Sequence, residues 1–205
     1  MLPLLRPLFS FSSLSPSVLS SLPSPASRRI LVTGGCGQLG TEILPYLNHL
    51  YKPENVLVTD TKLPSSPSPQ AELNNFEALS ILDKQKLEQL VRTFKPTYII
   101  HFAAILSANG ERSPKACLDV NVNGFKNVLD VACENKIPMF SPSTIAAFGS
   151  STPRMNTPNT TIMRPSTVYG CTKVFNELLG TYYKSKYGMD FRSIRYPQVK
   201  IVLVL

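Results

Sequence analysis

From residue 30 onward, short apolar runs alternate with longer amphipathic stretches, and Gly, Pro, Asn or Asp marks most of the changes of period. Strands are predicted at 30–33, at 55–59 ending on Asp60, at 97–102, at 139–143 leading into Thr144, and at 191–195. Between them, apolar residues recur at helical spacing over 38–50, over 81–94 after its first turn, over 115–134 and over 167–186. Residues 62–70 carry Pro64, Pro67 and Pro69 among serines and predict a loop. Apolar strands separated by amphipathic helices belong to a parallel sheet covered on its faces, so the fold class is α/β with a doubly wound sheet. Pro45 is the discordant position. An interior proline costs a helix about 3 kcal/mol against a total stability of roughly 5 to 15 kcal/mol, which predicts a kink in 38–50 and a weaker grip on any ligand at its start.

Composition divides the chain before it describes the domain. Nine Ser and five Pro stand between Met1 and Ser27, the only basic residues before Ile30 are Arg6, Arg28 and Arg29, and no acid precedes Glu42. Residues 1–29 therefore read as a mitochondrial transit peptide, with the matrix as the expected location. A disordered tail or weak secretory signal is the plainer alternative, although Pro3, Pro7 and Pro16 interrupt the apolar stretch. The remainder suffices for one domain, and no run of 18 apolar residues predicts a membrane span. Three of the 21 basic residues lie before residue 30 and all 13 acids after it, so the net charge falls from +8 to +5 without the leader. That charge is dispersed, with no block and no interleaved aromatics, and gives no support for nucleic-acid binding. Cys36, Cys117, Cys133 and Cys171 are spaced for neither a metal knuckle nor a disulfide frame and read as free thiols.

The chemistry gathers at two places. Thr33-Gly-Gly-Cys-Gly-Gln-Leu-Gly40 joins the first strand to the first helix. There Gly34 permits a tight turn, Gly37 lets backbone approach a pyrophosphate, and Gly40 lets helix and strand pack, with Gln38 and Leu39 at the helix N-terminus where a phosphate would sit. Asp60 follows Gly40 by 20 residues, at the end of the second strand, where a carboxylate can accept ribose hydroxyls. An acid there repels a 2′-phosphate and favours NAD over NADP; its plainer reading is a turn acid. At the second place, Tyr169 and Lys173 are four apart on one helix face, so the ammonium can lower the phenol from its reference of about 10 toward the range of a general base. Thr144, with Ser143 beside it, would complete a triad or simply end a strand. His101, closing an apolar strand, reads as a core residue and is left out of the chemistry.

These features, with His101-Phe-Ala-Ala104, resemble the extended short-chain dehydrogenase/reductase family. The strings Ala104-Ile-Leu-Ser-Ala-Asn-Gly-Glu111, Pro142-Ser-Thr-Ile-Ala-Ala-Phe-Gly149, Arg164-Pro-Ser-Thr-Val-Tyr-Gly170 and Arg192-Ser-Ile-Arg-Tyr-Pro197 are similar to its NAD-dependent L-threonine 3-dehydrogenases, the mitochondrial animal form in particular. The resemblance implies a Rossmann-type domain at 30–197 that binds NAD, with L-threonine as substrate and L-2-amino-3-ketobutyrate as product. It implies Tyr169 as base, Lys173 on the ribose and beside the phenol, and Thr144 on the reacting oxygen. Phe102, Ala103 and Ala104 would line the cofactor cleft, Leu82 and Asp83 would meet the adenine, Asn121 would brace the active-site strand or a water, and Ser107 would contact the amino acid. A homodimer, or a dimer with full-length relatives, would form through 115–134 and 167–186.

Family members continue past Arg-Tyr-Pro into a glycine, a loop that grips the amino-acid carboxylate and a helical substrate domain, whereas here Gln198-Val-Lys-Ile-Val-Leu-Val-Leu205 follows Pro197. The expectation is thus a truncated, inactive form whose cleft lacks a wall, with 198–205 an aberrant apolar tail. Two other readings stay open: a nucleotide-sugar epimerase or reductase of the same family, and a non-enzymatic protein that binds NAD or pairs with a relative.

Overall fold

The computed structural model describes residues 27–61, 73, 75–153 and 155–197. The expectations placed on residues 1–26 of the leader, on the 62–70 loop and on the 198–205 tail lie outside them. Six strands form one parallel sheet: β1 (Ile30–Thr33), β2 (Val56–Asp60), β3 (Phe76–Ala78), β4 (Tyr98–His101), β5 (Met139–Phe140) and β7 (Phe191–Arg192), in the order β3-β2-β1-β4-β5-β7. β1 pairs Ile30 with Val56 on one side and with Tyr98 on the other. The chain therefore winds outward from β1 in one direction and, from β4, in the other. This is the doubly wound arrangement, and its switch point lies between β1 and β4.

The period of two along each strand divides the core. Leu31, Leu57 and Ile99 face one layer, while Ile30, Val32, Val56, Val58 and Ile100 face the other. The second layer is covered by α1 (Gln38–Tyr51) through Leu44 and Leu47. The first is covered by α2 (Lys84–Phe94) and by a continuous helical rod made of α4 (Pro114–Leu118), a π-helical stretch Asp119–Gly124 and α5 (Phe125–Glu134). A short α3 (Ser107–Arg112) precedes that rod. The long α6 (Val168–Tyr187) adds Tyr183 to the same layer. Thr167 caps α6 by accepting from Gly170 N at 3.0 Å, and Gly188 ends it at φ 68, a left-handed position where glycine has no Cβ to strain.

Several boundaries differ from the sequence reading. The predicted strand at 139–143 divides into β5 and β6 (Ser143–Thr144), separated by Pro142, which has no N–H to donate. Residues 191–195 divide likewise into β7 and β8 (Arg195–Tyr196), and β6 and β8 pair in a ribbon of their own. β3 and α3 were not foreseen: Phe-Glu-Ala and Ser-Ala-Asn-Gly-Glu-Arg are too short to show a period. Pro45 does not break α1, which runs unbroken for 14 residues. The proline lies on the exposed face, while Leu44 and Leu47 hold the buried face. Arg29, at the end of the supposed leader, is tied to the domain: its backbone N donates to Thr97 Oγ1 at 3.0 Å and its guanidinium lies 4.4 Å from the Phe94 ring centre.

His101 is the buried titratable group of the sheet, 2% exposed, with its Nδ1 2.7 Å from Thr33 Oγ1 and its ring edge-on to Phe125. Burial, with the Lys173 charge adding to it, holds the imidazole down at about 3 from 6.5. Between those values the unfolded chain binds a proton that the folded chain refuses, so stability rises with pH across pH 3–6.5 and is lost on acidification. At about 1.36 kcal/mol per unit, the full excursion is on the order of 5 kcal/mol. The urea midpoint of the wild type is expected to fall steeply below pH 6.5, and that of His101→Gln to fall distinctly less over the same range.

Candidate functional site

Where β1 ends, the chain turns sharply at Gly34, whose φ is 70, and the amides of Gly34 and Gly35 both donate to Thr59 O at 2.8 and 3.2 Å. A Cβ on Gly34 would lie 2.3 Å from Ala103 N, and one on Gly40 would lie 2.2 Å from Gly35 O. The turn is thus compressed against the loop after β4 and against the first turn of α1. Gly35, not singled out in the sequence, is nearly as confined, since a Cβ there would lie 2.5 Å from Val58 Cγ1; the Gly-Gly doublet was its only signal. Gly37 is the N-cap of α1 and supplies no side chain, and the helix has no acid in its first turn. The free amides around Gln38 and Leu39 and the positive end of the helix are therefore left for an anion.

This N-terminus opens on a cleft of about 540 Å³ at the switch point, with Gly34, Gly37, Asp60, Phe102, Ala103 and Ala104 in its walls. Asp60 ends β2 and accepts from Cys36 N at 3.1 Å and Thr61 N at 2.7 Å, so one carboxylate joins the glycine turn to the rim. Burial, and then the Asp60 charge, pushes the Cys36 thiol up to about 11, which leaves it an inert thiol. Leu82 and Asp83 depart from expectation. Asp83 accepts from Lys86 N at 3.0 Å as the N-cap of α2, and the wall at this point is Leu79, Ser80 and Ile81. Ile105 and Val120 complete the cleft, also unforeseen. Ser107 opens α3, outside the cleft's walls.

Asn121, 1% exposed, braces rather than lines the cleft. Its Oδ1 accepts from Ile105 N at 2.7 Å, and its Nδ2 donates to Ile105 O at 2.9 Å and to Thr172 Oγ1 at 3.2 Å. The cleft's end at Ile105 is thereby fastened to α6, the helix that carries Tyr169 and Lys173. The π-helical stretch supplies this residue, as such local widenings often do at working sites.

Tyr169 occupies the first turn of α6 and Lys173 the next, with the ammonium 5.8 Å from the phenol ring centre. Lys173 is 5% exposed and donates to Pro142 O at 3.0 Å; burial lowers it to about 8 from 10.5. Tyr169 runs against expectation. Burial raises its phenol above the ordinary value and the Thr144 hydroxyl draws it back in part, but Lys173 does not lower it, being buried and turned to Pro142. Thr144 also accepts from Ala146 N at 3.1 Å. Ser143, offered beside it as catalytic, is turned away: its hydroxyl donates to Glu177. Successive strand residues face opposite sides, so only one of the two can address Tyr169.

The sequence profile of the NAD dependent epimerase/dehydratase family matches residues 30–200. The chain belongs to this family. An uncharacterized epimerase/dehydratase of Staphylococcus saprophyticus is 46% identical over 172 residues, which are 83% of this chain and 53% of that protein. The solved L-threonine 3-dehydrogenase of Trypanosoma brucei is 47% identical with a TM-score of 0.79, over 82% of this chain and 52% of the other. That of the L-threonine dehydrogenase from Phytophthora infestans is 45% identical, TM-score 0.79, over 86% and 56%. The chain thus spans about half the length of these family relatives. NAD is the family's cofactor, and the residues present fit it: a side-chain-free helix N-terminus for the pyrophosphate, a turn with no room for a Cβ, and a carboxylate at the ribose position. Among the described residues no cluster suits a metal ion and no helix is long and apolar enough to cross a membrane; all four cysteines are free.

The buried ammonium destabilises the ligand-free fold. Between pH 8 and 10.5 the unfolded chain holds the proton that folded Lys173 has released, so this group makes stability rise with pH over that window. Below pH 8 the cost is roughly 3 kcal/mol. Lys173→Met is expected to gain about 2 kcal/mol at pH 7 after the hydrogen bond to Pro142 O is lost, read as a higher thermal midpoint, while it weakens NAD binding at least tenfold.

Proposed function

We propose that this chain supplies the NAD-binding and proton-transfer machinery of an L-threonine 3-dehydrogenase, which oxidises L-threonine at its hydroxyl-bearing carbon to L-2-amino-3-ketobutyrate. The observation that carries this reading is the Tyr169 phenol with the Thr144 hydroxyl against it and buried Lys173 one turn on, on a helix fastened through Asn121 to the glycine-turn cleft. The threonine specificity is supported by the 45–47% identity to the two solved dehydrogenases, well beyond what a shared cofactor fold demands. NAD, when bound, supplies the hydride acceptor. Thr144 orients the substrate hydroxyl and Tyr169 accepts its proton. Lys173 holds the ribose and, turned from Pro142 O toward the cofactor, brings positive charge to the phenol and lowers its pKa. Asp60 takes the adenosine ribose hydroxyls and excludes a 2′-phosphate.

The full chain is expected to show a higher thermal midpoint with NAD, by several degrees at a hundredfold excess over the dissociation constant, and a much smaller one with NADP. Asp60→Ala should remove that preference. NADH formation is then followed with L-threonine and with a UDP-sugar: turnover of threonine supports the reading and overturns the expected inactivity, turnover of the sugar overturns the reading in favour of an epimerase or reductase, and no shift with NAD overturns the cofactor role itself.

We further propose that two copies, or this chain and a longer relative, pair through α6. Its outward stripe of Cys171, Phe175, Leu178 and Tyr182 follows helical spacing, with Leu178 60% exposed. Sedimentation of the full chain is expected to give a dimer that Leu178→Glu dissociates; a wild-type monomer at high micromolar concentration rejects the pairing.

A further inference from the structure

Glu177 lies on α6 one turn beyond Lys173 and two beyond Tyr169, and the reaction proposed above makes no use of it. Its carboxylate joins three separate parts of the chain. Oε1 accepts from the Ser143 hydroxyl on β6 and from Arg195 Nε on β8 at 3.0 Å, and Oε2 accepts from Arg195 Nη2 at 2.7 Å. Arg195 reaches onward: its guanidinium lies 5.1 Å from the Phe148 ring centre, and Nη1 donates to Asn159 O at 3.4 Å. Both side chains of the ion pair are largely shielded, 15% exposed for Glu177 and 23% for Arg195. A forked, shielded pair of this kind fixes direction as well as distance.

The ribbon that this carboxylate holds needs such an anchor. β6 and β8 contribute two residues each, paired Ser143 with Arg195 and Thr144 with Tyr196. The pair runs on from β5 and β7, with Ser141 N donating to Arg192 O at 3.0 Å and Ser143 N to Ile194 O at 2.9 Å, but among the described residues no third strand flanks it. Ser143 and Arg195 occupy paired positions, and both turn toward Glu177. The alternation of strand faces then directs Thr144 to the opposite side, where its hydroxyl meets Tyr169. One carboxylate on the rigid helix thus sets which face of the ribbon carries the hydroxyl that Tyr169 sees.

We propose that Glu177 is a positioning residue: through Ser143 and Arg195 it seats the β6–β8 ribbon on α6 so that Thr144 is held against Tyr169. This rests on the reading of Tyr169 and Thr144 as the reacting pair. Neither Glu177 nor Arg195 is among the residues that line the cleft, and both act through Thr144.

The test uses the full chain labelled with 3-fluorotyrosine, the fluorine resonance of Tyr169 being assigned by its loss in Tyr169→Phe, and those of Tyr98 and Tyr183 in the same way. Thr144→Val defines the change in the Tyr169 resonance when the hydroxyl is absent. Glu177→Gln and Arg195→Met are expected to move that resonance in the same direction, with the Tyr98 and Tyr183 signals in place, and Glu177→Gln/Thr144→Val to move it no further than Thr144→Val alone. Ser143→Ala, which deletes one hydrogen bond and no charge, is expected to give a smaller movement of the same sign and serves if the charge variants do not fold. An unmoved Tyr169 signal in a folded variant overturns the proposal, as does a movement shared by all three tyrosines, the mark of general loosening. NADH fluorescence is recorded on the same samples: a wild-type chain that fails to bind NADH overturns the proposed function, while the fluorine readout still decides the role of Glu177.

Discussion

The space between the Gly34 turn and the loop after β4 is the constraint on which the rest of the structure depends. With 2.3 Å between Ala103 N and the place a Cβ would occupy at residue 34, backbone packs on backbone with nothing interposed. The two central strands are thus held at their carboxyl ends in one relation, and the cleft opens over that junction. Because the chain leaves β1 toward β2 and leaves β4 toward β5, the helices diverge from the same point, and the N-terminus of α1 is left facing a gap rather than a neighbour. The anion site is in this sense a product of topology. The glycines let backbone approach it, and Asp60, fixed by the Cys36 amide, places a carboxylate at its far end.

The second half of the site is built on opposite terms. α6 carries a tyrosine raised by burial, a lysine lowered by burial and a carboxylate in a shielded ion pair, all within nine residues. None of the three is the choice that stability alone would make, and an apolar face there would give a firmer core. Their cost is borne by the large cluster of Phe125, Val128, Leu129 and Phe191 behind the helix. Asn121 then transmits the position of α6 to the cleft through the Ile105 backbone, so that an amide 1% exposed to solvent does work that no surface contact could do as rigidly.

Much of this was legible in the residues. Uninterrupted apolar runs such as Ile-Leu-Val-Thr at 30–33 could only be strands buried on both faces, and the helices of 84–94 and 168–187 show their period openly. The glycine turn and Asp60 were legible for a different reason, since their spacing is imposed by a local βα unit. The adenine role of Asp83 came from the resemblance rather than from its local pattern; three residues before a helical amide it caps the helix. The place of Pro45 in the chain predicts a kink, whereas its effect depends on which side of the helix meets water.

What the sequence determined by itself was much of what short range sets: the order of the longer strands and helices, the turn chemistry at Gly34, and the Tyr-Lys pair one helical turn apart. Tertiary structure alone decided between neighbours whose local patterns are equivalent. Ser143 and Thr144 are both hydroxyl residues at a strand end, and a carboxylate 34 residues away takes the first and so leaves the second to Tyr169. In the same way it is burial among distant segments that gives Lys173 and His101 their altered proton affinities. Desolvation sums over whatever surrounds a charge in space, and that surrounding is assembled only when the sheet and its helices close on one another.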